Sequence, residues 1–224
     1  MPRTSRSIIA GHCYHLINRG NNRAQRFHGP RDFNEFVRLM SEASDRILLP
    51  VIGACLMPNH VHLVVRPCDG QDVARWMHWL FATYSRRYHS RYGSTGRVWE
   101  NRFKAFAIQG DSHLLIVLRY VERNAQRANL TERAEHWHWS SLNWRMRSGA
   151  PFTLAPSPIA LPEDWVELVN RPHTEEELAA MRNCVNRQRP FGADDWVQRT
   201  AAELDLEKSL APLGRPRRRA RQQK

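Results

Sequence analysis

No stretch of this chain approaches the ~20 consecutive apolar residues needed to cross a bilayer. The opening Met1-Pro2-Arg3-Thr4-Ser5-Arg6 lacks the long apolar run of a secretory signal. Cysteine is scarce: Cys13, Cys55, Cys68 and Cys184 stand far apart with no C-x-x-C pair, which excludes a zinc knuckle and a disulfide frame as expectations. No segment repeats. Acidic residues are also short, 22 against 34 lysines and arginines. The absences together lead to the expectation of an intracellular protein, cytoplasmic and nucleoid-associated, without membrane contact.

What the chain does have is basic charge, +12 over 224 residues, most of it arginine. Cations placed near phosphates release condensed counterions, so such a surplus favours nucleic acid, and arginine forks phosphate better than lysine does. Hydrophobic residues at 42% and eight tryptophans supply a folded core. Cys13 to Arg19 predicts a first strand, closed by Gly20-Asn21-Asn22. Phe33, Phe36, Val37, Met40, Ser44 and Ile47 recur at helical spacing and predict a helix from about Pro30 to Leu48. A strand from Val51 to Met57 turns through Pro58-Asn59 into another, His60 to Arg66. Val73, Trp76, Met77, Leu80, Phe81 and Tyr84 stripe a long helix reaching about Tyr92, and Arg102 to Ile108 alternates as a fourth strand. Asp111 or Ser112 can cap a third helix with Leu114, Val117, Leu118, Val121, Ala125 and Ala128 on its core face.

This order of elements predicts an α+β fold, a ferredoxin-like antiparallel sheet with packed helices, followed by a C-terminal helical extension and a basic tail. The expected division is a catalytic domain over 1–150, a proline-rich linker over 151–162, a helical extension over 163–210 and the tail over 211–224. Thr174-Glu175-Glu176-Glu177 fits a capping box opening a helix to about Arg187, and Asp194 or Asp195 can cap another to about Leu210.

The most informative motif is His60-Val61-His62. Residues two apart on a strand share a face, so both imidazoles can grip one ion while Val61, Leu63 and Val65 fill the other side. On the third helix Tyr120, Asn124 and Arg127 fall on one flank, with Tyr120 and Asn124 one turn apart. The tyrosine is expected beside the sheet without being buried in it. Should this helix pack beside the histidine strand, a phenol, an amide oxygen and two imidazoles converge. A divalent ion on His60, His62 and Asn124, with Mg²⁺ or Mn²⁺ favoured by the absence of carboxylates and of a closed ligand set, could polarise a phosphate. The phenol, a weak nucleophile at neutral pH, could then form a phosphotyrosine.

Three alternatives stand beside this reading. Tyr84, Tyr88 and Tyr92 form a ladder at four-residue spacing, which resembles the paired tyrosines on a helix of HUH replication initiators and so implies Tyr88 as a competing nucleophile of rolling-circle type. A binding module for hairpin nucleic acid, without chemistry, needs only the basic surface, and a hydrolytic phosphodiesterase needs the histidines but not Tyr120. The expected phosphate-binding face comprises Arg19, Arg23, Arg86, Arg87, Arg91, Arg97, Arg102 and Lys104, joined by Arg217, Arg218 and Arg219 of the tail. Trp137 and Trp139 are expected to pack on the core.

The ordered set Tyr14-His15-Leu16-Ile17-Asn18-Arg19-Gly20-Asn21, Met57-Pro58-Asn59-His60-Val61-His62-Leu63, Arg102-Phe103-Lys104-Ala105, Tyr120-Val121-Glu122-Arg123-Asn124, Trp137-His138-Trp139-Ser140-Ser141 and Gly214-Arg215-Pro216 resembles the HUH single-tyrosine transposases, and within them the REP-associated tyrosine transposases. The resemblance implies His60, His62 and Asn124 as metal ligands and Tyr120 as nucleophile. It also implies cleavage of single-stranded DNA beside a hairpin, giving a 5′-phosphotyrosine and a free 3′-hydroxyl. Ala125 stands where the family commonly has proline, so the helix is expected to run on past Asn124 and to shift Arg127. Monomer and homodimer both suit the sequence.

Overall fold

The computed structural model describes residues 8–211, arranged around four antiparallel strands: β1 Cys13–Arg19, β2 Val51–Met57, β3 His60–Val65 and β4 Lys104–Ile108. Their order across the sheet is β2-β3-β1-β4. With α1 Pro30–Arg46 after β1 and α2 Gly70–Tyr92 after β3, this is the ferredoxin-like arrangement expected from the pattern. The β4 strand begins two residues later than alternation alone predicts, and β3 ends one residue earlier.

Strand alternation divides the molecule into two cores. Tyr14 and Leu16 of β1 and Val61, Leu63 and Val65 of β3 join Phe33, Phe36, Met40, Trp76, Leu80 and Tyr84 from α1 and α2. Cys13, Val64, Phe106 and Ile108 project from the opposite face. Helix α1 starts with Pro30 after Gly29, where the absent N–H costs nothing. It stops at Arg46 and not at Leu48, because Ile47 turns extended while its N–H still reaches Ala43; Leu48 is exposed. Asp69 caps α2 through the Gln71 N–H, and Gly93 ends it in the left-handed conformation.

The opposite face is covered by α3 Ser112–Glu122, capped by Asp111 through the His113 N–H, and by a short continuation, α4 Asn124–Arg127. Gly53 of β2 sets how closely α3 approaches: a Cβ there would lie 2.6 Å from Leu118 Cδ2. Ala125 is buried as expected, but Ala128 is exposed, because the chain leaves the helix just after it. Two short helices that no periodicity announced, α5 Ser141–Arg145 and α6 Trp165–Asn170, pack here too. Helix α7 Glu175–Arg187 carries the complete capping box of Thr174 and Glu177.

Helix α8 Asp194–Glu203 corrects its expectation at both ends. Its N-cap is Ala193, so neither Asp194 nor Asp195 caps it, and it ends well before Leu210 because Asp205 adopts a left-handed conformation. Residues from the extension reach back to the sheet: Trp165, Val169, Met181 and Cys184 share one core with α3. Outer strand β4 pairs with Phe191 through Gln109 N–H to Phe191 O at 2.9 Å and Phe191 N–H to Ala107 O at 2.9 Å. The outer strand on the other side, β2, receives Leu56 N–H to Trp139 O and Ala155 N–H to Val51 O. Trp137 and Trp139 pack on the core, with Trp139 stacked on Phe33 at 4.1 Å.

Among the described residues no helix is long and apolar enough to cross a membrane. All four cysteines are free. The tail residues Arg217, Arg218 and Arg219 lie outside the described residues.

Candidate active site

Strand β3 brings His60 and His62 together on the face toward α3, their ring centroids 4.8 Å apart. Each has its Nδ1 committed. The Nδ1 of His60 lies 2.6 Å from Asn59 Oδ1, and the amide of Asn59 is oriented by its Nδ2, which donates to Arg23 O at 3.0 Å. With the amide oxygen facing His60, the proton of His60 resides on Nδ1 and its Nε2 keeps a lone pair. His62 Nδ1 lies 2.8 Å from Nε2 of His15, which comes from the adjacent strand β1 and stacks on it. The Nε2 of His62 is buried and has no partner among the described residues.

Both imidazoles are held neutral. Burial pushes His60 down to about 3, with Arg19 and Arg127 adding repulsion. His62 is held well below the ordinary histidine range, again by burial first, then by His60, His15, Arg127 and Arg19. His15 is lowered to about 3 by burial and His60. Neutral imidazole is the form that ligates metals.

Helix α3 places Tyr120 over this face. Its ring meets His62 edge-on at 6.0 Å and His15 at 6.4 Å, and the Arg127 guanidinium lies 5.3 Å from its centroid. Arg127 also donates to Asn124 Oδ1 at 2.7 Å, so the turn past Asn124 continues as Ala125 allows, and Arg127 folds back over the tyrosine. Contrary to expectation, Tyr120 is buried, at 8% exposure. The cause lies downstream: the segment between α6 and α7 lays His173 edge-on against the phenol, centroids 6.0 Å apart. No hydrogen bond to the Tyr120 hydroxyl is present among the described residues.

Ten buried side-chain polar atoms in the described residues lack partners, and five belong to this one spot: His15 Nδ1, His62 Nε2, Asn124 Nδ2 and both nitrogens of His173. Native interiors satisfy nearly all such groups, so a concentration of orphans marks where a ligand completes the structure. His60 and His62 offer two Nε2 lone pairs, and Asn124 Oδ1 retains a second lone pair beside the one that Arg127 uses. Among the described residues no group of three or more His, Cys, Asp or Glu could hold a metal ion. A cation here would have open positions for phosphate or water oxygens.

Sequence reasoning did not foresee three features. His15 belongs to the first-strand motif, but its contact with His62 follows from strand register, Ile17 opposite His62 and Asn18 opposite Val61. His173 precedes a capping box and no local pattern ties it to Tyr120. Glu122 is fully buried, its carboxylate accepting from Ser141 Oγ at 2.5 Å, Trp165 Nε1 at 2.7 Å and Arg145 Nε at 3.2 Å. It ties α3 to α5 and α6.

The expected phosphate-binding residues divide. Arg19 stands opposite His60 in register, and Arg23 is exposed in the adjoining turn. Lys104, Arg97 and Arg102 are exposed, the two arginines lining a cleft of about 580 Å³ walled by Met77, Phe81, Trp99 and Phe103. Arg87 and Arg91 instead pair with Glu35 and Asp32 of α1, and Arg86 donates to Thr83 Oγ1 at 3.0 Å.

Residues 9–124 match the family described as IS200-like transposases. Among solved structures, the chain is similar to a REP-associated tyrosine transposase bound to a REP hairpin. The two share 14% identity over 72% of this chain and 100% of that one, with a TM-score of 0.54. A candidate transposase from Deinococcus radiodurans R1 is 16% identical over 58% of this chain and 93% of its own, with a TM-score of 0.36. No protein of curated function matches the chain.

Proposed function

This chain belongs to the IS200-like transposases, and from that premise we propose that it cuts and rejoins single-stranded DNA at palindromic hairpins through a 5′-phosphotyrosine on Tyr120. The observation that carries the reading is the concentration of unpartnered polar atoms around a phenol whose own hydroxyl is untied. The hairpin-bound state of the structurally similar REP-associated transposase supports a hairpin as substrate.

In this reading the Tyr120 oxygen attacks the scissile phosphorus, the bond from phosphorus to the 3′-oxygen breaks, and the phosphotyrosine conserves the bond for rejoining. His60, His62 and Asn124 hold a divalent ion, Mg²⁺ or Mn²⁺, which supplies Lewis-acid polarisation of the phosphate when bound. Asn59 and His15 fix the two imidazoles with Nε2 outward. Arg127 holds the Asn124 oxygen and the phenol ring in one arrangement. Half-buried Arg19 and exposed Arg23, Arg97, Arg102 and Lys104 draw in the phosphate backbone, and Arg217, Arg218 and Arg219 add to this from the tail.

The test is incubation of labelled single-stranded hairpin DNA with the protein and Mg²⁺ or Mn²⁺. Wild type gives a protein–DNA adduct that survives denaturation, and Tyr120→Phe gives none. Cleavage without an adduct would replace this reading by hydrolysis, and tight binding without cleavage would replace it by a binding module.

A further inference from the structure

Resting on the reading of Tyr120 as nucleophile, we propose that His173 is the proton acceptor for its phenol. His173 lies outside the residues matched to the family, on the link between α6 and α7. Its ring is edge-on to Tyr120, centroids 6.0 Å apart and planes at 77°. It is nine-tenths buried, and neither ring nitrogen has a partner among the described residues. A neutral imidazole carries one N–H and one lone pair, so a lone pair is free here in either tautomer. Folded interiors normally satisfy such groups, which marks this ring as awaiting a partner.

The position is built by the helix that carries the tyrosine. Arg119 of α3 donates to Leu168 O at 2.9 Å, Arg171 O at 3.0 Å and Pro172 O at 2.8 Å, and it pairs with Glu177 at 3.0 Å. Arg123 adds a contact to Asn170 O at 3.4 Å. On its other side His173 is followed by Thr174, the cap of α7. Both chain neighbours of His173 are therefore pinned relative to Tyr120.

The other imidazoles are committed. His60 carries its proton on Nδ1 and directs Nε2 to the proposed ion. If His62 offers Nε2, its Nδ1 donates to His15 Nε2, which puts the proton of His15 on Nδ1 and leaves it no lone pair. That leaves His173. In the step, the proton of Tyr120 Oη passes to the His173 lone pair as Oη bonds to phosphorus. The 3′-oxygen departs with the electron pair of its broken bond to phosphorus and takes a proton from solvent water; the imidazolium returns its own to solvent. In the DNA complex the edge-on pair closes to hydrogen-bond reach, a tightening common to catalytic pairs.

The groups facing His173 are Arg119, Arg123 and Arg127 from α3 and its continuation, Glu177 from α7, and Tyr120 itself. Burial foremost, then Arg119, hold it at about 4, with Glu177 opposing and Arg123 and Arg127 assisting. A phosphodiester against these guanidiniums offsets their charge, so substrate binding strengthens the base.

The experiment is single-turnover adduct formation on a hairpin-bearing single-stranded oligonucleotide with Mg²⁺, from about pH 6 to pH 9. Wild type, His173→Ala, His173→Gln and Tyr120→Phe are compared, with melting temperature and DNA affinity measured alongside. Both His173 variants are expected to bind DNA normally but form adduct about 10²- to 10⁴-fold more slowly at neutral pH. Their deficit shrinks as pH rises and hydroxide takes over as proton acceptor, and added imidazole partly restores His173→Ala. Wild-type rates in the variants, or an equal deficit at every pH without rescue by imidazole, would reduce His173 to packing and overturn the proposal while leaving Tyr120 intact. An adduct that persists in Tyr120→Phe would instead remove the nucleophile on which it rests.

Discussion

Two helices of this molecule turn tyrosines inward, and they treat them in opposite ways. On α2 every phenol is tied: Tyr84 donates to Arg26 O at 2.7 Å, Tyr88 bonds His28 Nε2 at 3.0 Å, and Tyr92 donates to Asp32 at 2.6 Å. These three rings lock α2 to the segment that enters α1. On α3 the Tyr120 hydroxyl is left without a hydrogen bond among the described residues, within a ring of polar groups that also lack partners. A tied tyrosine is a fastening. An untied one, held in place by its ring alone, is free to bond something that arrives later, and this difference favours Tyr120 over Tyr88 as the nucleophile.

The largest expected effect breaks the comparison in both directions. Tyr120→Phe eliminates the covalent adduct yet changes unfolding free energy by no more than about 0.5 kcal/mol, since no partner is lost. Tyr88→Phe keeps the adduct. An adduct that vanished with Tyr88 would reverse the assignment.

Next comes Glu122, whose fully partnered carboxylate shares a helix with the untied phenol. Glu122→Ala leaves Arg145 and the Trp165 N–H without their buried acceptor and is expected to cost about 3 kcal/mol in urea unfolding. A loss below about 1 kcal/mol would mean that α5 and α6 are not held through it.

A smaller effect is expected at His15. Its replacement by alanine leaves His62 Nδ1 unsupported and should weaken Mn²⁺ binding about 10- to 100-fold by calorimetry. Unchanged affinity would show that the pair is only stacked.

The same histidine gives a pH signature in metal-free protein. It protonates near 6.5 when unfolded but only at about 3 when folded. Unfolding therefore takes up a proton between those values. The stability is intact above pH 6.5 and declines as pH falls, by up to about 1.4 kcal/mol per unit for this one group. His15→Phe should flatten part of that slope. The smallest effect is on the tied side, where Tyr88→Phe should lower stability by about 1 kcal/mol through the lost bond to His28.

Local signals carried much of this structure. Strand β1 and the α7 capping box fall where composition and alternation put them, and the histidine pair shares a face because β-strands alternate. What the sequence could not disclose are contacts across long separations. His173 reaches Tyr120 over more than fifty positions, and Glu122 meets Trp165 over 43. Periodicity within α3 reports which flank Tyr120 occupies but not that residues 165–173 fold back over it, which is why the tyrosine is more buried than expected. The α8 boundary was missed for a different reason: its cap is backbone geometry at Ala193, and its end is one left-handed residue, Asp205.

Among the described residues, both outer margins of the sheet are partly covered by the chain's own loops. Trp139, Ser140 and Ala155 occupy the rim of β2, and Phe191 occupies that of β4. An unpaired rim is a template for strand addition, leading to aggregation or to a continuous sheet between copies. The loops at Trp139, Ala155 and Phe191 each cover part of such a rim. Shortening the chain ahead of Phe191 would uncover the end of β4 near Ala107 and should favour strand addition there.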